Sequence, residues 1–279
     1  MTTIPTLPIG QRIPLPGQAG LPESAHEFDE VSAWAIRATL AAQRPLLVRG
    51  EPGTGKSQLA RAAAVAMKRV FIAEAMHARS EAQDLLWHFD AVARLGDAQA
   101  LGAERSGPEE VRKRLAPLNY LSPGPLWWVF DWASAEDQRG RAGDVQARPL
   151  PPPGWQPKDG AVLLIDEIDK AEADLPNGLL DTLGNASFNV PWLDERIGMQ
   201  PGTPPPLVVV TTNEERDLPA AFLRRCMVLN LALPTEEPAF LAWMVERGRL
   251  HFAQRCSEAA YGEAARHPGA TAATPSTRA

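Results

Sequence analysis

Pro45-Leu46-Leu47-Val48-Arg49-Gly50-Glu51-Pro52-Gly53-Thr54-Gly55-Lys56-Ser57 is the stretch that decides the fold of this chain. Leu46 to Val48 has the composition of a short buried strand. Gly50, Gly55, Lys56 and Ser57 then satisfy G-x-x-x-x-G-K-[ST] at every position. Glycines at 50, 53 and 55 let the backbone curl so that consecutive N–H groups point inward at phosphate oxygens. A helix opening near Lys56 adds the positive end of its dipole. Gly50, Glu51, Pro52, Gly53, Thr54, Gly55, Lys56, Ser57 and Gln58 are therefore the expected triphosphate cradle. Lys56 reaches the β/γ-phosphates and the Ser57 hydroxyl suits Mg²⁺. A Gly-rich turn with a surface lysine is the competing reading, and the strand before and the helical pattern Gln58 to Met67 after speak against it.

The 279 residues suffice for one large α/β domain and a smaller appendage. A formal charge of −6 gives no global basic footprint, which argues against extensive contact with duplex nucleic acid. Only Cys226 and Cys256 occur, without metal-ligand spacing or a disulfide framework, and the 5 histidines are scattered. No apolar run is long enough to span a bilayer and no targeting pattern opens the chain. The expectation is a reduced, cytoplasmic protein. The prolines, 27 in all, cluster in two places and mark boundaries.

Residues 1–28 read as a Pro-rich arm, either flexible or laid across another surface. A helix is expected from Asp29 to Gln43, with Val31, Trp34, Ala35 and Leu40 on one buried stripe. Four further apolar runs, Arg69 to Ala73, Ala161 to Ile165, Leu207 to Thr212 and Met227 to Leu231, read as strands. Between them, Arg79 to Ala116 is irregular apart from a helix around Glu109 to Leu115. The aromatic run within Tyr120 to Trp132 is either a helix packed on the core or a partner-binding surface. Arg139 to Lys158 reads as a mobile loop. Asp174 to Gly184 reads as a helix and Ser187 to Ile197 as a hairpin. Asp217 is the expected N-cap of a short helix that ends in Arg224 and Arg225. Strands alternating with helices imply an α/β fold with a parallel sheet covered on both faces, the nucleotide sitting at the carboxyl end of the first strand.

The third run ends Leu163-Leu164-Ile165-Asp166-Glu167-Ile168-Asp169-Lys170. A carboxylate at the tip of a buried strand is costly to desolvate unless it faces a cation. Asp166 can complete a Mg²⁺ shell with Ser57, and Glu167 can act as general base on the attacking water. A solvated strand end is the alternative. Asp169 and Lys170 are expected to cap or line the next helix. Val208-Val209-Val210-Thr211-Thr212-Asn213 places a polar cluster at the next strand tip, where Asn213 is either a turn residue or an amide holding water or γ-phosphate.

The three ordered motifs together, with Thr211 to Cys226 as the third, resemble the AAA+ ATPases, and within them the MoxR-type branch. The resemblance covers Val31 to Leu233. It implies a P-loop three-layer sandwich whose five-stranded sheet has the order 5-1-4-3-2. It also implies Lys56 and Ser57 as Walker A, Asp166 and Glu167 as Walker B, Asn213 as sensor 1, and ATP with Mg²⁺ as ligands. A ring, commonly a hexamer, would place nucleotide between subunits. Arg225, or Arg224 beside it, would then reach the neighbour's γ-phosphate, the alternative being cations that offset a helix dipole. The implied division is an ATPase core over 29–233, a truncated helical lid over 234–265 and a disordered tail over 266–279. The lid departs from the family: Arg247, Arg249 and Arg255 do not match a sensor 2 arginine. The segments around Trp127 and Asn185 to Ile197 correspond loosely to pore-facing insertions. The implied activity is a chaperone or remodeller acting on a protein partner, often one with a von Willebrand factor A domain. A slow nucleotide-dependent switch in a signalling or defence complex is the second reading, and a DNA-directed motor a third that the acidic balance opposes.

Overall fold

The computed structural model describes residues 4–17, 21–104, 107–143, 146–194, 196–252, 256–257 and 260–263. In chain order the strands are β1 (Arg12–Leu15), β2 (Ser24–Glu27), β3 (Leu46–Gly50), β4 (Val70–Ala75), β5 (Trp87–Phe89), β6 (Leu121–Pro123), β7 (Ala161–Asp166), β8 (Ser187–Phe188), β9 (Ile197–Gly198), β10 (Leu207–Thr212) and β11 (Met227–Leu231). The α-helices are α1 (Glu30–Ala42), α2 (Lys56–Met67), α3 (Ala91–Glu104), α4 (Pro108–Arg114), α5 (Pro125–Phe130), α6 (Trp132–Arg141), α7 (Leu175–Asn185), α8 (Ala220–Leu223) and α9 (Glu237–Phe252).

Five strands make one parallel sheet in the order β11-β3-β10-β7-β4. Counted along the chain these are the fifth, first, fourth, third and second core strands, so the expected 5-1-4-3-2 order is the observed one. Burial on both faces explains the uninterrupted apolar strand sequences. Leu46, Val48, Val162, Leu164, Leu207 and Val209 pack on the α1 and α2 side. Leu47, Leu163, Ile165, Val208 and Val210 alternate to the other face, against the aromatic residues of α5 and α6. The parallel register sets Thr212 opposite Arg49 and Val210 opposite Ile165, so the carboxyl tips of β3, β10 and β7 share one edge.

Several expectations are met and others are corrected. The arm contains an antiparallel hairpin, Arg12 opposite Glu27, that lies against α2. Helix α1 is capped by Asp29, whose side chain accepts the Ser32 N–H at 2.7 Å. Its buried stripe runs through Ala33, Ile36 and Leu40, while Val31 and Trp34 are 66% and 59% exposed. The Arg37 guanidinium lies 4.5 Å from the Trp34 ring centroid, which gives that indole a partner at the surface. The stretch expected to be irregular holds a 14-residue helix, α3. The aromatic run packs: Trp127, Trp128, Phe130 and Trp132 are all buried. The hairpin β8–β9 forms, and between its strands Trp192 packs its ring 4.8 Å from Phe89. Helix α8 is capped by Pro219 without a side-chain bond, so Asp217 is not its N-cap; Arg224 is the C-cap and Arg225 lies beyond it. Helix α9 packs on β2, and Arg12 Nε donates to the Leu250 carbonyl at 2.9 Å. The tail expected over 266–279 lies outside the described residues.

Candidate nucleotide site

The loop between β3 and α2 is shaped by close backbone approach. Gly50 has φ +152°, and a Cβ there would lie 2.4 Å from the Leu231 carbonyl oxygen, so only glycine fits. Gly55, at φ +93°, is the N-cap of α2 and supplies no side-chain cap. The first N–H groups of α2 are therefore left for an anion. Lys56 is buried, and its Nζ donates to Gly50 O at 2.6 Å, Glu51 O at 3.0 Å and Asn213 Oδ1 at 2.7 Å. Burial lowers its pKa, opposed by the carboxylates of Asp166, Asp169, Glu167 and Glu214.

At the tip of β7, Asp166 faces Ser57, whose Oγ lies 2.8 and 3.0 Å from its two oxygens. Thr211 also donates to Asp166 and accepts the Glu167 N–H at 2.8 Å, tying β10 to β7 at their tips. Glu167 adopts φ +57°, the left-handed region that costs a non-glycine residue roughly 1 kcal/mol. Its Oε1 accepts from Asn213 Nδ2 at 3.2 Å and its Oε2 from Lys170 Nζ at 2.7 Å. Asn213 therefore links the loop lysine to the Glu167 carboxylate. Hydroxyl and carboxylate oxygens at Ser57 and Asp166 form a hard donor set that fits Mg²⁺. Among the described residues no cluster of three or more His, Cys, Asp or Glu side chains is placed to hold a metal ion.

Lys56, Ser57, Asp166, Glu167 and Asn213 line one cleft of about 310 Å³. Sequence reasoning missed its other wall, formed by Leu21, Pro22 and Ser24 of the arm. Arg61 of α2 fastens that wall: its guanidinium donates to Pro16 O at 2.6 Å, Pro22 O at 3.1 Å and Ser24 Oγ at 3.4 Å. The available signal was a lone arginine in an Ala-rich helix, at a position that turns out buried. Thr211, fully buried, was also missed as a positioning group. A cleft of about 900 Å³ between the end of α2 and residues 150–155 is larger, but it contains neither strand-tip carboxylate nor the phosphate loop.

The structure does not bring Arg224 or Arg225 to this cleft. Both are exposed, and Arg225 Nη1 donates to the Ala221 carbonyl at 3.3 Å. Arg247 and Arg249 lie on α9, and Arg255 is outside the described residues. Asp169 does not cap a helix; its Oδ2 accepts the N–H groups of Asn213 and Glu215 at 3.2 and 3.1 Å. Cys226 is buried, which pushes its thiol up to about 12, so it is unreactive at neutral pH. No helix among the described residues is long and apolar enough to cross a membrane.

No curated protein matches the chain. A crystal structure from Cytophaga hutchinsonii, described as a putative ATPase, is similar at 14% identity with a TM-score of 0.41; the match covers 85% of this chain and 56% of that one. The present chain thus spans little more than half the length of that structure. Residues 45–226 match the AAA domain (dynein-related subfamily), a span from the phosphate loop to the residue before β11. A match over more than half its length means that this chain belongs to the AAA family of ATPases, in the dynein-related subfamily.

Proposed function

We propose that the chain is a Mg²⁺-dependent, MoxR-like AAA+ ATPase that works as an oligomeric remodeller of a protein partner. The observation that carries the hydrolytic part is the meeting of Lys56, Asn213 and Glu167 beside the Ser57–Asp166 pair in one cleft. The loop N–H groups and Lys56 bind the phosphates of ATP, and the Lys56 ammonium moves from loop carbonyls to phosphate oxygens. Ser57 and Asp166 would hold Mg²⁺, which would neutralise phosphate charge. Glu167 accepts a proton from water as the water oxygen bonds to the γ-phosphorus, and ADP leaves with the bridging oxygen. Asn213 keeps the water and the γ-phosphate in line, and Leu21 and Pro22 flank the nucleotide on the arm side.

Arg225, with Arg224 beside it, is exposed and away from its own cleft, which supports action on a neighbouring subunit in a ring, with a hexamer the family's usual form. An arginine supplied in trans stabilises charge on the transferring phosphoryl group. The partner, by resemblance, is a protein with a von Willebrand factor A domain, engaged through loops such as Ser187 to Ile197. One observation favours a slower, switch-like use of the same site: both Glu167 oxygens are already engaged, one by the ammonium of Lys170. The deciding experiment is Glu167→Gln, expected to keep ATP binding while turnover falls by about 10²-fold or more. Native turnover in that variant removes the general-base assignment.

A further inference from the structure

Asp169 is a buried carboxylate that hydrolysis as described does not use. It is 3% exposed and sits in the turn that follows β7. Its Oδ2 gathers the N–H groups of Asn213 and Glu215, at 3.2 and 3.1 Å. Its Oδ1 is covered and makes no hydrogen bond among the described residues. Between the two donors, Glu214 takes φ +61°, and its own N–H turns back to Thr212 Oγ1 at 2.9 Å. That kink lets two N–H groups one residue apart converge on a single oxygen. Arg216 Nη1 adds a second fastening, to the Ala171 carbonyl at 2.8 Å. The loop after β10 is thus pinned to the turn after β7.

A half-satisfied buried carboxylate is an expensive way to hold a loop that stability alone would require. Its position relative to Asn213 suggests what it is kept for. The Asn213 amide must present oxygen to Lys56 and nitrogen to Glu167, and a shifted backbone would break one bond or the other. We infer that Asp169 is a positioning residue for ATP hydrolysis, which acts by fixing the backbone of Asn213 so that its amide stands between Lys56 and Glu167. This rests on the role proposed above for Asn213.

The test is steady-state ATPase kinetics and nucleotide binding on the full chain, with Asp169→Ala, Asp169→Asn, Asn213→Ala and the double variant Asp169→Ala/Asn213→Ala. Asp169→Ala is expected to lose about tenfold in kcat while KM stays within about twofold. Asp169→Asn, whose amide oxygen can accept the same two N–H groups, retains the fold and loses about threefold. Asp169→Ala should not lower kcat further in the Asn213→Ala background, because the effect passes through that amide. Native kcat in Asp169→Asn and in any folded Asp169→Ala, or losses that multiply with Asn213→Ala, overturns the inference. If Asn213→Ala alone turns over ATP at the native rate, the role of Asn213 fails first. If Asn213→Ala is impaired and the Asp169 variants are not, only the inference about Asp169 falls.

Discussion

Lys56 and Asn213 are 157 residues apart in the chain, and the Lys56 ammonium meets the Asn213 amide oxygen at 2.7 Å. That contact joins the two halves of the site, since the same amide donates to Glu167. Replacing Lys56 by Ala removes the only ammonium in the phosphate loop. Nucleotide affinity should fall by about 10- to 100-fold, as expected for a lost charge-assisted contact, and titration with a fluorescent ATP analogue measures it. An unchanged affinity would place the phosphates elsewhere.

Lys170 is the solvent-side partner of Glu167, with a side chain 40% exposed, and the hydrogen bond to Glu167 raises its pKa. On the proposed mechanism its ammonium competes with the attacking water for the carboxylate. Substituting Met should raise kcat severalfold with little change in KM, and substituting Arg should keep native turnover. A Met variant slower than native would mean that Lys170 orients Glu167 rather than restrains it.

Arg61 binds the arm through three contacts, two of them to backbone carbonyls that would otherwise lose their partner. Its replacement by Ala should cost about 2 kcal/mol in denaturant unfolding and open the chain at Pro16 and at Pro22 to Ser24 to proteolysis. Unfolding at the native denaturant midpoint would show the arm to be held by other contacts.

His26 is buried between the hairpin and α9, and burial, with Arg247 next in effect, lowers its pKa to about 4. The unfolded chain takes up a proton near pH 6.5 while the folded chain does not until near pH 4. The neutral ring therefore favours folding above pH 6.5, and the stability it supports is lost as pH falls towards 4, by up to about 3 kcal/mol. His26→Phe should flatten the acid side of the stability curve measured by chemical unfolding between pH 7 and pH 4. An equally steep curve in the variant would assign the loss to other groups.

Arg225→Ala should leave ATP binding intact and lower turnover by about 10³-fold if the guanidinium acts on a neighbour. Mixing the variant with native chain at fixed total concentration should then depress activity out of proportion to the native fraction. Strict proportionality, or full activity in a monomer sized in solution, would exclude a trans role.

The sequence by itself determined the phosphate loop, the five core strands and the residues at their tips. These follow from local chemistry. Gly50 and Gly55 permit a backbone that other residues resist, and short continuous apolar runs ending in Asp166-Glu167 or Thr212-Asn213 read as buried strands with polar ends. What the tertiary structure decided depends on which distant groups meet. Trp34 lies outside the α1 stripe because Ala33, Ile36 and Leu40 already fill the face towards the sheet, a choice helical spacing leaves open. Thr211 became a tie between strands through its bonds to Asp166 and Glu167, 45 and 44 positions away. Asp169 turned from an expected cap into the anchor of the Asn213 loop, and Arg61 into the fastening of the arm. A buried charge declares its partner only when the strands are in register, because its cost is settled by neighbours that its own stretch of chain does not contain.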